Sequence, residues 1–254
     1  MPLLATRPFS EVFLELQGEG GRKHILEPEY HQDIYREASV RASETEGAFQ
    51  LADLNVVERP ISRGVQPVYV DDESDPSSLS YVGMIREDGS TVQDGETDGI
   101  CALKSVAIRR GFIDFGVARS VSRDFFEKKE KAGVCRGDVL INSTGDGTIG
   151  RVAVYNRDHP AVVDGHVTIV RLKDRRMSWY VAAYLLSDEG QHQIYRYING
   201  SSGQVEIYPQ DIGRLWIPGC DDGAIERIAR QFEAAVEKFD EFQQELRATL
   251  SLCG

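Results

Sequence analysis

Residues 137–155, GDVLINSTGDGTIGRVAVY, constrain the fold more than any other part of the chain. An apolar run, Val139-Leu140-Ile141, enters a small polar loop, and a second run, Val152-Ala153-Val154-Tyr155, leaves it. Between them Gly145, Gly147 and Gly150 spell G-x-G-x-x-G, the fingerprint of a dinucleotide site. Such a site needs a helix directly after the third glycine, so that the helix N-terminus can hold pyrophosphate. Here a β-branched run follows, bounded by Asn156 and Pro160, and the spacing predicts strand, glycine loop, strand. Two uses of the loop stay open. It could hold an anion through backbone N–H groups and the hydroxyls of Ser143, Thr144 and Thr148, or it could be a hairpin turn with no ligand. Spacing alone favours the second, because Gly, Asp and Asn are ordinary turn residues.

A chain of 254 residues accommodates one large domain, or one domain with an appendage. No stretch approaches the roughly 18 consecutive apolar residues of a membrane span. The N-terminus, MPLLATRPFSEVFLELQ, lacks a basic segment ahead of a long apolar run and does not read as a signal peptide. Cys101, Cys135, Cys220 and Cys253 are scattered without a C-x-x-C pair, as expected of idle thiols in a reducing cytoplasm. His24, His31, His159, His166 and His192 show no ligand spacing either, so no metal site is expected.

The net charge of −12 argues against nucleic acid until its distribution is read. Residues 101–218 hold 17 Lys and Arg against 13 Asp and Glu, a net of +4, while the two flanks together carry −16. Phosphate binding depends on the local potential of a face, not on net charge. Either the basic middle presents such a face, or its own acids neutralise it.

Residues 1–43 look helical and polar, with Val12, Phe13 and Leu16 at helical spacing and an interruption at Pro28. Residues 71–78 and 87–99 are acidic, Gly- and Ser-rich loops flanking a short run at 80–85, and residues 100–117 alternate as strands do. Residues 125–131 read as a short charged helix, and 166–172 as another strand. Ser178 is the expected N-cap of a helix carrying Val181, Tyr184, Leu185, Ile194 and Ile198, interrupted near Gly190. The last segment, capped by Asp221 or Asp222, is the clearest helix. Ile225, Ile228, Phe232, Val236, Phe239, Phe242, Leu246 and Leu250 recur at steps of three and four, so one seam runs its whole length. About 28 residues at about 1.5 Å each give roughly 42 Å. A seam of that length pairs with another helix, whether the N-terminal segment, a second copy or another protein.

Catalytic signatures are missing. There is no P-loop lysine, no G-x-S-x-G and no H-E-x-x-H. The triplet Asp164-Gly165-His166 sits at the head of a strand and reads as a turn, and the charged run at 127–131 reads as a solvated helix face.

Three stretches in this order carry a resemblance. RGDVLINSTGDGTIGRVAVY (136–155) is similar to the G-D-[IV]-L-[IL]-x-x-[ST]-G-x-[IT]-G-[RK] stretch of the specificity subunits of type I restriction–modification systems. NGSSGQVEIYPQDIGRLWIP (199–218) is similar to their G-[ST]-[ST]-G-Q stretch ending in apolar-Ile-Pro, and a long helix follows directly. A weaker echo lies in His24-Ile25-Leu26-Glu27-Pro28-Glu29-Tyr30. The resemblance covers roughly residues 45–250, in a form with one target recognition domain. The glycine loop is two residues longer than the commonest form, the Glu-Gln pair that usually opens the spacer helix is replaced by Asp222-Gly223-Ala224-Ile225-Glu226, and residues 65–100 match nothing.

The resemblance implies an α+β fold. A mixed, mostly antiparallel β recognition domain with packed helices would occupy 45–218, after an N-terminal helical segment at 1–44 and before a long coiled-coil-like helix at 219–254. It implies a non-catalytic, cytoplasmic reader of double-stranded DNA that directs partner N6-adenine methyltransferase subunits, with a restriction translocase as an optional further partner. No cofactor would bind this chain, since S-adenosylmethionine belongs to the methyltransferase. Lys104, Arg109, Arg110, Arg151 and Arg196 are the expected phosphate contacts, with Thr144, Thr148, Ser201 and Ser202 adding hydroxyl or N–H contacts. Gln204 could pair with adenine or lock its own loop; the recurrence of G-S-S-G-Q in the family, whose targets differ, favours the lock. The base readers are expected within 65–110. Ile225, Ile228, Phe232, Phe239, Phe242 and Leu246 would anchor a partner helix, and two copies could pair antiparallel as a homodimer. Two other readings stay open: the recognition module of a type IIG-like or phage-defence methyltransferase complex, and a small nucleotide-binding enzyme using the loop at 145–150.

Overall fold

The strands around the glycine loop are buried on both faces, and this decides the architecture. The computed structural model describes residues 28–86, 88–200 and 205–252. Within it β6 (Val139–Asn142), β7 (Val152–Val154) and β9 (Val167–Val170) have no exposed residue. Strands that are apolar on both sides need a layer on each. β6 is central, with Leu140 opposite Ala153 of β7 on one side and Ile169 of β9 on the other, all antiparallel. β2 (Ser62–Arg63) extends this sheet beyond β9. A second four-stranded sheet runs in the order β4 (Arg119–Ser122), β3 (Gly99–Leu103), β8 (Ala161–Val163), β5 (Gly133–Val134), parallel only between β3 and β8.

Side-chain alternation assigns the two faces of the first sheet. Val139, Ile141, Val152, Val154 and Val170 face a helical layer. That layer contains α3 (Arg175–Leu186), α4 (Asp188–Arg196) and α6 (Asp222–Ser251). Leu140, Ala153, Tyr155, Val167 and Ile169 face Cys101, Leu103, Ala161 and Val163 of the second sheet. The outer face of that sheet, Ile100, Ala102, Val121 and Val162, is covered by Tyr69 and by Phe125 and Phe126 of the short helix α2 (Arg123–Lys128). The α+β, mostly antiparallel class expected from the sequence is therefore the one observed. α1 (Asp33–Ser43) packs on α4. β1 (Phe49–Gln50) pairs with β10 (Trp216–Ile217), just after the one-turn α5 (Pro209–Ile212). Val12, Phe13 and Leu16 lie outside the described residues.

Two helix boundaries differ from expectation. α3 starts at Arg175, and its cap is Asp174, whose carboxylate accepts the Arg176 N–H at 3.0 Å; Ser178 is buried within the helix. The break before α4 falls at Ser187, whose hydroxyl accepts the Gly190 N–H at 3.3 Å. Gly190 is needed for a different reason: a Cβ there would lie 2.2 Å from the Tyr184 carbonyl oxygen, so only glycine lets the two helices meet this closely.

The seam helix is corrected in a larger way. α6 spans 30 residues and is capped by Asp221, which accepts the Ala224 N–H at 2.9 Å. Its first half, however, docks on its own domain. Ile225, Ile228 and Phe232 pack against the core beside the buried Ala229 and Val236. Phe232 meets Trp179 edge-on at 5.4 Å, and Phe239 lies 4.3 Å from Phe112. Ion pairs flank this contact at every seventh residue: Glu226 with Arg176 at 3.3 Å, Glu233 with Arg136 at 3.3 Å, and Asp240 with Arg157 at 2.9 Å. Seven residues is nearly two turns, so the three acids share one face. Ile225, Ile228, Phe232 and Phe239 are thus intramolecular contacts, and Phe242, Leu246 and Leu250 alone remain exposed. A periodic seam reveals that a groove exists, but not which molecule supplies it.

At the β5–β6 end, Arg171 donates twice to the Asp138 carboxylate, both bonds 2.7 Å, and the Cys135 N–H adds a third at 2.9 Å. Asp138 is almost wholly buried, so Asp138→Asn is expected to cost about 3 kcal/mol by stranding the Arg171 charge, read as a lower urea midpoint. Phe232→Ala should cost about 3 kcal/mol through the cavity left against Trp179, with the same readout.

Candidate nucleic-acid interface

The topology turns six segments at one end of the two sheets. β3 and β8 are parallel, so their C-terminal ends coincide; β9 and β7 start where β6 ends, and β2 ends beside the start of β9. The loops leaving these ends carry Arg63, Lys104, Thr144, Thr148, Arg151 and His166.

The glycine loop is a hairpin connection, and β7 stands where a dinucleotide site would need a helix. Gly145, Gly147 and Gly150 have φ of +90°, +74° and +79°, values that a side chain would strain. The Gly145 carbonyl accepts the N–H groups of Thr148 at 3.2 Å and Ile149 at 3.0 Å, and the Asn142 carbonyl accepts that of Gly150 at 2.9 Å. The Thr148 hydroxyl donates to the Thr144 carbonyl at 3.0 Å, and the Arg151 guanidinium to the Gly147 carbonyl at 3.1 Å. Beneath the loop, the buried Gln191 donates to the carbonyls of Gly150 at 2.9 Å and Leu185 at 2.6 Å. This amide ties the loop to the helical layer, and Gly150 has no room for more, because a Cβ would sit 3.0 Å from the Gln191 side-chain oxygen.

Neighbouring segments are locked to the same loop. The Gly145 N–H donates to the Val205 carbonyl at 3.0 Å, and Asn199 and Glu206 exchange two backbone bonds of 2.7 and 2.8 Å. Ser201, Ser202 and Gln204 lie outside the described residues. Arg63 pairs with Glu206, donates to the Ile207 carbonyl at 2.9 Å, and stands 5.5 Å from the Tyr208 ring centre. The negative charge of Glu206 raises the Tyr208 phenol above its usual range.

The Asp164-Gly165-His166 turn is structural in its backbone, as the sequence suggested. The buried Asp164 carboxylate accepts the N–H groups of Ser105 and His166, each at 2.9 Å. The His166 ring, however, is exposed and lies 2.7 Å from the Thr144 hydroxyl. Ser105 brings Lys104 to the same place, where its ammonium is 3.2 Å from Glu73 and 5.2 Å from the Tyr69 ring centre.

Lys104, Thr144, Thr148 and Arg151 therefore stand on loops at the same end of the sheets, with the Lys104 ammonium turned toward Tyr69. Arg109 and Arg110 sit on a tight turn bridged by Ile108 and Ile113, with Gly111 donating to Val152 at 2.8 Å on the β7 edge. Arg109 pairs with Asp114 at 3.3 Å, and the exposed Arg110 donates to the Leu186 carbonyl at the end of α3. Arg196 is corrected: it is buried, donates to the Tyr30 carbonyl at 3.2 Å and stacks 4.3 Å from the Tyr30 ring centre, which removes it from the surface. Sequence reasoning missed Arg63, Tyr208 and Gln191, which carry no local signal, and read His166 only as part of a turn. Lys104, Arg63 and Arg109 each face a carboxylate, while Arg151 makes no ion pair among the described residues. Among those residues no group of His, Cys, Asp and Glu could hold a metal ion, and no helix is long and apolar enough to cross a membrane.

No protein-family model matches the chain, and no curated protein matches it. Among solved structures, the fold is similar to part of the type IIG restriction endonuclease BpuSI, with a TM-score of 0.51 and 14% identity over 81% of this chain and 28% of that one. The type I restriction-modification S subunit from M. genitalium gives 0.45 and 12%, covering 82% of this chain and 43% of that one. The HsdS subunit from Thermoanaerobacter tengcongensis gives 0.43 and 14%, covering 85% and 48%. The chain thus spans less than half the length of each of these proteins.

Proposed function

We propose that this chain is a sequence-specific, double-stranded DNA recognition subunit of a restriction–modification or related methyltransferase complex. The observation that carries the proposal is the convergence of four loops at one end of two packed sheets, on a rigid base, carrying Arg63, Lys104, Thr144, Arg151 and His166. The motif resemblance in 136–155 and 199–218 and the fold shared with part of a type IIG restriction endonuclease support the same reading. In this reading residues 45–218 form the recognition domain. Lys104, Arg151 and Arg110 hold phosphates and set register, and Arg109 joins them when it leaves Asp114. Thr144 and its neighbour His166 offer further contacts to DNA. The glycine loop itself is mainly a scaffold, since its own backbone and the Thr148 hydroxyl consume its hydrogen bonds.

The chain performs no chemistry in this account. N6-adenine methyltransferase subunits, or a methyltransferase domain linked as in type IIG systems, supply S-adenosylmethionine and catalysis, and a restriction subunit joins where one exists. The exposed end of α6, carrying Phe242, Leu246 and Leu250, is the stretch of seam left for a partner helix or a second copy.

Binding of the full chain to short labelled duplexes should be salt-sensitive. Lys104→Ala and Arg151→Ala should each weaken it several-fold whatever the sequence, and lower the slope of log affinity against log salt by about 1. No binding at low salt, or variants that alter preference between sequences and leave the slope intact, would contradict these roles. Sedimentation should show self-association that Leu246→Asp abolishes while leaving the melting temperature nearly unchanged, because Leu246 lies on the exposed stretch of the helix; a wild-type chain that stays monomeric at all concentrations argues against the homodimer.

A further inference from the structure

On the outer side of the second sheet, two cations, one on β4 and one just past β3, hold one carboxylate that belongs to a surface loop. Glu73 places one oxygen 3.2 Å from the Lys104 ammonium and the other 3.1 Å from the Arg119 guanidinium. Its side chain is otherwise 76% exposed, so nothing apolar keeps it there. The cations themselves are built in. Arg119 lies on β4, is held by the buried Asp71 carboxylate, and stacks 4.4 Å from the Tyr69 ring centre. Lys104 approaches the same ring at 5.2 Å. Tyr69 bridges to Val121 of β4, so the aromatic platform is fixed to the second sheet. The acidic loop is built differently. Asp72 and Asp75 bond the N–H groups of Ser74 at 2.9 Å and Ser77 at 3.0 Å in local turns, while Asp71 ties the start of the loop to β4 through the Ser120 N–H at 2.8 Å.

The charges around Glu73 are strong enough to move its titration. Lys104, and then Arg119, hold the carboxyl below its ordinary range. Burial works against the charge on Arg119, and Asp71 and Glu73 more than offset it. A fixed cationic pair over an aromatic ring, holding an exposed carboxylate at about 3 Å, is the arrangement that recognises a phosphate oxygen.

We infer that Lys104, Arg119 and Tyr69 form a cradle for a backbone phosphate diester of DNA, and that Glu73 occupies it in the free chain as an internal phosphate mimic. This rests on the DNA-binding reading and adds to it a second cation and a competitor. Lys104 is linked to the glycine loop through Ser105, Asp164, His166 and Thr144, so the cradle lies at the same end of the two sheets. Non-specific DNA must displace Glu73 before gaining the two cations, whereas a bound target that also makes base contacts offsets the loss. The acidic loop then raises discrimination by weakening binding that rests on phosphate alone.

The test uses the full chain and a short duplex of random sequence. Glu73→Gln should tighten binding about 5-fold near 0.1 M salt, because it removes the competing charge and keeps the side-chain shape. Asp75→Asn removes one charge from the same loop without touching a cation and should change affinity by less than about twofold. Adding Lys104→Ala to E73Q should erase the gain. If the wild-type chain binds DNA and E73Q binds no tighter than D75N, or the gain survives loss of Lys104, the cradle is overturned while DNA binding stands. If neither the wild-type chain nor E73Q binds at low salt, the DNA-binding reading falls and the cradle with it.

Discussion

Everything at the candidate interface depends on the two-sided burial of β6. Because Val139 and Ile141 face helices while Leu140 faces a second sheet, the strand is held between two packed layers, and the buried Asp138 paired with Arg171 pins its start. Its position fixes where the chain emerges at Ser143. From there the glycine loop, the 164–166 turn and Lys104 are placed by backbone bonds and by buried side chains. A binding face made from loops is accurate only if the loops are anchored, and the anchors here are Gln191 below Gly150 and Asp164 below Ser105 and His166.

The same packing explains the division of α6. A helix of 30 residues is longer than the layer beneath it. Its first half is held by Trp179, Phe112 and the heptad ladder of Glu226, Glu233 and Asp240 on Arg176, Arg136 and Arg157. Past Asp240 no further rung occurs among the described residues, and the apolar seam continues through the exposed Phe242, Leu246 and Leu250. One helix thus performs two tasks in sequence: it closes the domain's helical layer, then extends an apolar edge beyond it. The acidic character of the C-terminal flank follows from the first task, since three of its acids neutralise cations of the domain.

Legibility in the sequence followed the range of the interactions. The hairpin at 137–155 was readable because its strands are β-branched and its turn needs glycine at left-handed positions, both local facts. The capping of α6 and its apolar period were readable for the same reason. Contacts between distant residues were not. Gln191 supports Gly150 from across the fold, Arg63 meets Glu206 from another strand, and nothing near Arg196 announces that Tyr30 will cover it. Ser178 was a plausible cap, yet Asp174 sits one turn earlier where the chain leaves β9, and position in the fold decided between them. The acidic loops were legible as loops, whereas the pairing of Glu73 with Lys104 and Arg119 needed the second sheet to bring β3 and β4 together.

Hydrogen exchange on the full chain, with and without saturating duplex DNA, tests the central claim most directly. The account predicts slowed exchange at residues 104–106, 143–151 and 164–166, with residues 133–137 at the opposite end of the sheets unchanged. Saturation with DNA that leaves those three loops unaltered, or slows exchange only at 133–137, would contradict it.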